Sequence, residues 1–198
     1  LAQKRLPIYI NISYTKHTMQ LSQSFFIYNR KQLCNRLPKK GVVIIAGNAR
    51  MQRNADNPYP FRQDSNFYYL TGIEEPCATL VIDMLHNQEW VMLPGRSKVQ
   101  AIFDGVVDTK KCTDISGIKE IIDEAEGWQR LKQLAGSTFY MPAKPAAQLD
   151  EMFTNPYRSV VARKLRRLTK NIHDIRNDLA QLRMIKGDEE IAIIEKNK

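Results

Sequence analysis

The sequence predicts an α/β domain, one β-sheet with helices packed on its faces. Three observations carry this. Runs of strand length alternate with segments of helical periodicity. The first apolar run, Val42-Val43-Ile44-Ile45-Ala46, is continuous, as expected of a strand covered on both sides. The composition is globular: 198 residues, 43% apolar and 26% charged, enough for one domain with a sizeable core.

The elements follow in order. Asn29 is placed to cap a short helix to Leu37, with Leu33 and Leu37 on one face; Pro38 and Gly41 end it. The strand 42–46 closes at Gly47. A polar loop runs from Asn48 to Pro60, with turn formers Asn57-Pro58. Phe67 to Thr71 is aromatic, reads as a strand, and stops at Gly72. Ala78–Met84 and Glu89–Leu93 read as strands joined by a turn at His86-Asn87-Gln88. Ile118, Ile121, Ile122 and Ala125 recur at helical spacing, with Ser116 as the cap. Trp128, Leu131 and Leu134 suggest a further short helix, and Thr138–Met141 a short strand ended by Pro142. A long helical region begins near Ala146. Between Val161 and Leu182 the apolar residues keep a 4-3-4-3 rhythm. We read it as a helix on the sheet, a break at Asn171 and Asp174, and a second helix, in preference to a coiled coil.

The net charge of +9 is unevenly placed. Residues 1–55 hold ten Lys and Arg and no acid, whereas the remaining 143 carry 20 basic and 21 acidic groups. Residues 1–22 read as a leader: upstream sequence ahead of a start at Met19, or an organellar presequence whose amphipathicity Pro7 spoils. No stretch approaches the roughly 20 apolar residues that cross a bilayer, so no membrane partner is expected. Cys34, Cys77 and Cys112 lie far apart without C-x-x-C spacing, which argues for a reducing compartment and against structural zinc. The expected location is cytoplasmic, with a mitochondrion or other organelle as the alternative raised by the acid-free start.

Candidate reactive groups are few. His17 falls in the leader, His86 in a turn and His173 in the helical break. There is no H-E-x-x-H, no G-x-S-x-G, no P-loop and no G-x-G-x-x-G. Asp104 and Asp108, four apart, read as solvated loop carboxylates rather than an acid–base pair. Arg158, Arg163, Lys164, Arg166, Arg167 and Lys170 form a basic cluster. It reads as the solvated back of a helix; a nucleic-acid-binding module using the 158–170 helix is the alternative, weakened by the lack of interleaved aromatics for base stacking.

The informative stretch runs from Arg53 to Pro76, through Tyr59-Pro60-Phe61-Arg62-Gln63-Asp64-Ser65 and Phe67-Tyr68-Tyr69-Leu70-Thr71-Gly72. Physically it is a polar loop between apolar anchors. Arg62, Gln63, Asp64 and Ser65 must satisfy one another or the loop backbone if covered. Arg62 is the expected organiser, because a guanidinium offers five donors in a rigid fork.

These residues match the pattern R-x-x-D-x-x-Y-x-[FY]-R-Q-[DN]-S-x-F-x-Y-[LF]-T-G-x-x-E-P throughout. In this the chain resembles the amino-terminal domain of Xaa-Pro aminopeptidases (aminopeptidase P), in the creatinase/prolidase-like "pita-bread" metallopeptidase group. The resemblance spans about residues 23 to 198. It assigns 23–182 to the amino-terminal domain and 183–198 to the junction into a carboxy-terminal catalytic domain, through Leu182-Arg183-Met184-Ile185-Lys186-Gly187-Asp188-Glu189-Glu190-Ile191.

The resemblance implies an α/β fold with a mixed β-sheet flanked by helices. It implies a hydrolase that removes the amino-terminal residue before proline, using two divalent metals, commonly Mn2+, held in the catalytic domain. No catalytic residue and no metal ligand is therefore expected within these 198 residues, and no peptidase activity from this polypeptide alone. The implied partners are the catalytic domain, further copies of the enzyme, and a peptide with proline second. Phe103 takes the position of a family aromatic that reaches a neighbouring subunit's active site, in a motif of the form R-D-x-x-x-E-x-W-x-G-x-R. Here Gly105 keeps the glycine, but Ala101 stands for the acid and Val107 for the second arginine. Asp56 matches a family acid near the active-site entrance. A creatinase or prolidase parent is the alternative within the group.

Overall fold

The computed structural model describes residues 21–38, 40–96, 105–143 and 154–196. In chain order the elements are α1 (Gln23–Arg36), β1 (Val42–Ala46), β2 (Gln52–Asn54), β3 (Asn57–Pro58), α2 (Ser65–Thr71), β4 (Thr79–Asp83) and β5 (Gln88–Leu93). Then come α3 (Thr109–Ser116), β6 (Glu120–Asp123), α4 (Glu124–Gln133), β7 (Phe139–Met141), α5 (Tyr157–Leu168), β8 (Ile172–Asp174), α6 (Arg176–Met184) and α7 (Asp188–Lys196). The fold is mixed α/β.

Six strands form one sheet in the order β6-β5-β4-β1-β7-β8. The β1–β4 and β4–β5 pairs are antiparallel; β5–β6, β1–β7 and β7–β8 are parallel. Successive side chains of a strand point to opposite faces, so each continuous apolar run feeds two cores. Val43, Ile45, Leu80, Ile82, Val91 and Leu93 pack with α1, α2, α3 and α6. Val42, Ile44, Val81, Trp90 and Met92 pack on the other face with α4 and α5.

Three elements differ from the sequence reading. The first helix begins at Gln23, capped by Ser22, whose Oγ accepts from the Phe25 N–H. Asn29 is no cap: it is buried, and its Nδ2 donates to the Tyr69 carbonyl at 3.2 Å. The aromatic run 67–71 is helical. Asp64 caps α2 by accepting from the Asn66 and Phe67 N–H groups at 2.9 and 3.0 Å, and Gly72 ends it with φ +67°. Local capping chemistry thus overrides aromatic strand propensity. The set Ile118, Ile121, Ile122 and Ala125 is not one helix: 120–123 form the strand β6, and Ala125 belongs to α4. Ser116 and Gly117 end α3, and Ile121 and Ile122 pair with Val91 and Met92.

The long helical region expected from Ala146 begins, among the described residues, only at Tyr157. The break expected at Asn171 and Asp174 is real, but it holds the edge strand β8. The structure also adds the small exposed hairpin β2–β3 inside the polar loop.

Two helices end with the same device. Thr71 Oγ1 donates to the Phe67 carbonyl and accepts from the Ile73 N–H. Ser116 Oγ does the same with Cys112 and Ile118. A left-handed glycine follows each hydroxyl, and a buried Ile then anchors the chain. A Cβ at Gly72 would fall 2.5 Å from the Phe26 ring, against a backbone already at positive φ. Gly72→Ala is therefore expected to destabilise by more than about 1 kcal/mol, and Thr71→Val by about 1–3 kcal/mol through unsatisfied buried groups. Urea unfolding reads both.

Between α4 and α5, Glu124 accepts from Lys164 at 2.7 Å and from Trp128 at 2.8 Å, with the Lys164 ammonium over the Trp128 ring. Partial burial pushes the Glu124 carboxyl up, but the hydrogen bonds from Lys164 and Trp128 outweigh it and hold the group below its ordinary value. Its contribution is full above the ordinary Glu range and lost as pH falls through the lowered value. The stability gap between the parent chain and Glu124→Gln is expected to be greatest near neutral pH and to close in acid. A gap unchanged with pH in urea titrations would contradict this.

Candidate functional site

The motif residues converge on one side chain, and it is Gln63. The loop between β1 and α2 must pass beside the segment that follows α2. At that crossing the loop presents two N–H groups and the segment after α2 presents two carbonyls. Gln63 is only 7% exposed. Its Oε1 accepts from the Asn48 N–H at 2.7 Å and the Asp64 N–H at 2.9 Å. Its Nε2 donates to the carbonyls of Glu75 at 2.9 Å and Ile73 at 3.3 Å. Gly47 makes the approach possible, since a Cβ there would lie 2.6 Å from Gln63 Oε1.

Arg62, expected to organise the loop, is exposed and contributes its backbone carbonyl to Asn48 Nδ2 at 3.0 Å. The reason is chemical. A guanidinium only donates, whereas this crossing needs an acceptor and a donor on one planar group.

The remaining motif residues set α2. Asp64 caps it, Ser65 opens it on the exposed side, and Phe67 is fully buried. Tyr69 packs edge-on against Phe25 with ring centroids 5.4 Å apart. The carbonyls at the end of α2 are met by α1: Asn29 reaches Tyr69, and Arg30 Nη1 reaches Leu70 at 2.8 Å. Arg30, 3% exposed, also grips both carboxylate oxygens of Glu89 at 2.8 and 2.9 Å. Sequence reasoning missed Arg30. An arginine in a helix face otherwise occupied by Phe26 and Leu33 was the available signal.

The outer side of this loop and the α6–α7 junction line an open cleft of about 480 Å³, with Phe61, Arg62, Tyr68, Glu74, Arg183 and Lys186 in its walls. Arg183 ties the junction to the motif. Its Nη1 donates to Asn66 Oδ1 at 2.7 Å and its guanidinium lies over the Tyr69 ring. Glu189 of α7 accepts from the Ser22 N–H and hydroxyl at 2.7 and 2.6 Å. Met184 and Ile185 between them are exposed.

Of the two expected substrate-wall residues, one is described. Asp56 is exposed at the tip of the β2–β3 hairpin, outside this cleft. Phe103 lies outside the described residues. The flanks of its segment are tied: Arg96 donates to the Gly105 carbonyl at 2.6 Å and pairs with Glu75 at 2.7 Å. Asp108 caps α3 through the Lys111 N–H.

Burial pushes the Cys34 and Cys112 thiols up to about 11, with Glu89 and Glu75 respectively adding to it, and raises Cys77 as well. Burial also raises Tyr68, with Glu74 adding to it, and lifts Tyr157 to about 12 against its hydrogen bond to Thr79. Each shift favours the neutral, unreactive form. Among the described residues no group of three or more His, Cys, Asp or Glu could hold a metal ion. The basic cluster sits on and just past α5: Arg163, Lys164, Arg166 and Arg167 are exposed on the helix and Lys170 just beyond its end, while Val161, Ala162 and Leu165 face the sheet.

The described residues form a mixed α/β domain in which one polar network fixes the motif loop and ties α2 to α6. Comparison with known proteins supplies the family. The model of the amino-terminal domain of aminopeptidase P matches residues 26–140, and the chain belongs to that family. Among curated relatives, Escherichia coli Xaa-Pro aminopeptidase is 25% identical over 185 residues, covering 89% of this chain and 42% of the relative. Human Xaa-Pro aminopeptidase 3 is 26% identical over 194 residues, covering 88% and 37%. An Escherichia coli aminopeptidase P structure superposes with a TM-score of 0.70 at 25% identity, covering 89% of this chain and 42% of that one. A Bacillus anthracis structure assigned as an aminopeptidase P gives 0.74 at 25% identity, covering 89% and 43%. The chain thus spans less than half the length of these relatives. Neither the nucleic-acid alternative nor a creatinase or prolidase parent is favoured.

The network yields a comparison. Gln63→Leu strands four backbone groups in a buried loop and is expected to cost about 2–4 kcal/mol. Arg62→Ala, at an exposed side chain, is expected to stay within about 0.5 kcal/mol. Equal losses in denaturant unfolding would refute the assignment of Gln63 as organiser.

Proposed function

We propose that this chain is the non-catalytic lobe of a metal-dependent Xaa-Pro aminopeptidase. The parent enzyme would remove the amino-terminal residue from peptides with proline second. The observation that carries the reading is the family match over 26–140 joined to a fold shared with enzymes more than twice as long. The two divalent metals the family implies would be held by the catalytic domain, and no chemical step is assigned to this lobe.

Its work is positional. The Gln63 network fixes the motif loop, and Arg183 and Glu189 fix how α6 and α7 leave the lobe, which aims the catalytic domain. Self-association and one wall of a substrate site, through Phe103 and Asp56, complete the proposal. An aromatic face at Phe103 would pack against an apolar proline ring.

Purified chain is expected to give no turnover of a Xaa-Pro peptide, with or without Mn2+. EDTA-sensitive cleavage by the chain alone would overturn the reading. In the parent enzyme, Phe103→Ala is expected to raise KM about tenfold, the scale of a lost aromatic contact worth 1–1.5 kcal/mol. Sedimentation of the same variant separates a substrate effect from lost association.

A further inference from the structure

The basic cluster on α5 is not used by the proposed function, and it borders the open edge of the sheet. β8 closes the strand order, and among the described residues no strand lies beyond it. Its register with β7 is Phe139 to Ile172, Tyr140 to His173 and Met141 to Asp174. The Phe139 N–H donates to the Asn171 carbonyl and the Ile175 N–H to the Met141 carbonyl. A parallel ladder engages alternate residues, so the backbone groups of Ile172 and Asp174 face the open side.

Beside this edge lies an open cleft of about 500 Å³, lined by Ala143, Arg166, Thr169, Lys170, Ile172 and Asp174. Arg163, Arg166 and Arg167 follow one another at i, i+3 and i+4 as a stripe on the solvent side of α5, and Lys170 follows two residues beyond the helix end; all four are exposed. Arg166 is steadied by donating to the Ala143 carbonyl at 2.9 Å. The acid of the cleft, Asp174, is engaged by Arg176 at 2.9 Å.

We propose that the β8 edge and the α5 stripe together form a docking surface for an acidic, extended segment of a partner protein, which adds to the sheet as a further strand. The open amides and carbonyls supply main-chain pairing, and the stripe selects for negative charge. A second copy of this chain is the wrong occupant, because edge-to-edge pairing would bring the Arg166 and Lys170 charges of both copies to one seam. Nucleic acid is disfavoured on two counts. No aromatic side chain interleaves the stripe, and a phosphate backbone has no alternating donors and acceptors to match a strand edge.

The test uses the whole chain and a short fluorescent peptide of alternating Glu and Val, read by polarisation. Binding that weakens with added salt and falls about tenfold or more in the Arg163→Glu, Arg167→Glu double variant is expected. The same peptide N-methylated on alternate amides keeps its charge but loses strand pairing, so it is expected not to bind. This arm leaves the protein unaltered, and circular dichroism confirms that the double variant folds. Absence of binding, equal binding by the N-methylated peptide, or equal binding by a single-stranded oligonucleotide of the same charge would each overturn the proposal.

Discussion

The buried amide of Gln63 is the constraint on which the motif region depends. Four backbone groups from three separate stretches of chain meet there, around a side chain that is itself buried. Each would be costly if left alone. One planar group that both accepts and donates resolves the whole crossing, provided Gly47 leaves it room. Through Glu75 the same knot is continuous with Arg96 and the start of the segment carrying Phe103. Through Asp64 it is continuous with α2, and from α2 through Asn66 with Arg183 and the outgoing helices. The pattern by which the family is known is therefore a folding instruction before it is anything catalytic.

The helix seated by that knot has a second support. α2 is short, and short helices gain little from their own hydrogen bonds. Its terminal carbonyls would be orphaned against the core without Asn29 and Arg30. Arg30 brings a charge inside, and the fork to Glu89 neutralises it at the margin of β5. Such a buried pair is weak evidence for stability, because desolvation offsets the attraction. It does define where α1 sits over the sheet, since no shifted packing satisfies both the carbonyl of Leu70 and the carboxylate of Glu89.

Much of this was legible in the residues. Val42–Ala46 read as a doubly covered strand, and Leu80 and Val91 sit in the two strands of the expected hairpin. What was not legible has a common cause. Phe67 to Thr71 carries side chains that suit a strand, and the helix is decided by Asp64 and Gly72 just outside the run. Ile118, Ile121, Ile122 and Ala125 happen to fall at helical spacing, while Ser116 and Gly117 belong to the preceding helix. Asn29 read as a helix cap and Arg30 drew no reading, because their partners are backbone carbonyls forty residues away. Gln63 lost to Arg62 because counting donors ignores what the loop itself must donate.

The contact between Ser22 and Glu189 has a consequence for how this lobe can be handled as a unit. It brings the polypeptide in and sends it out at adjacent points, 167 positions apart along the chain. A unit whose first helix starts against its last one is of the kind that tolerates relinking and reopening elsewhere, because its sheet lies between the two points of chain entry. The exposed β2–β3 hairpin is a natural place for such new ends, since none of its strand residues is buried.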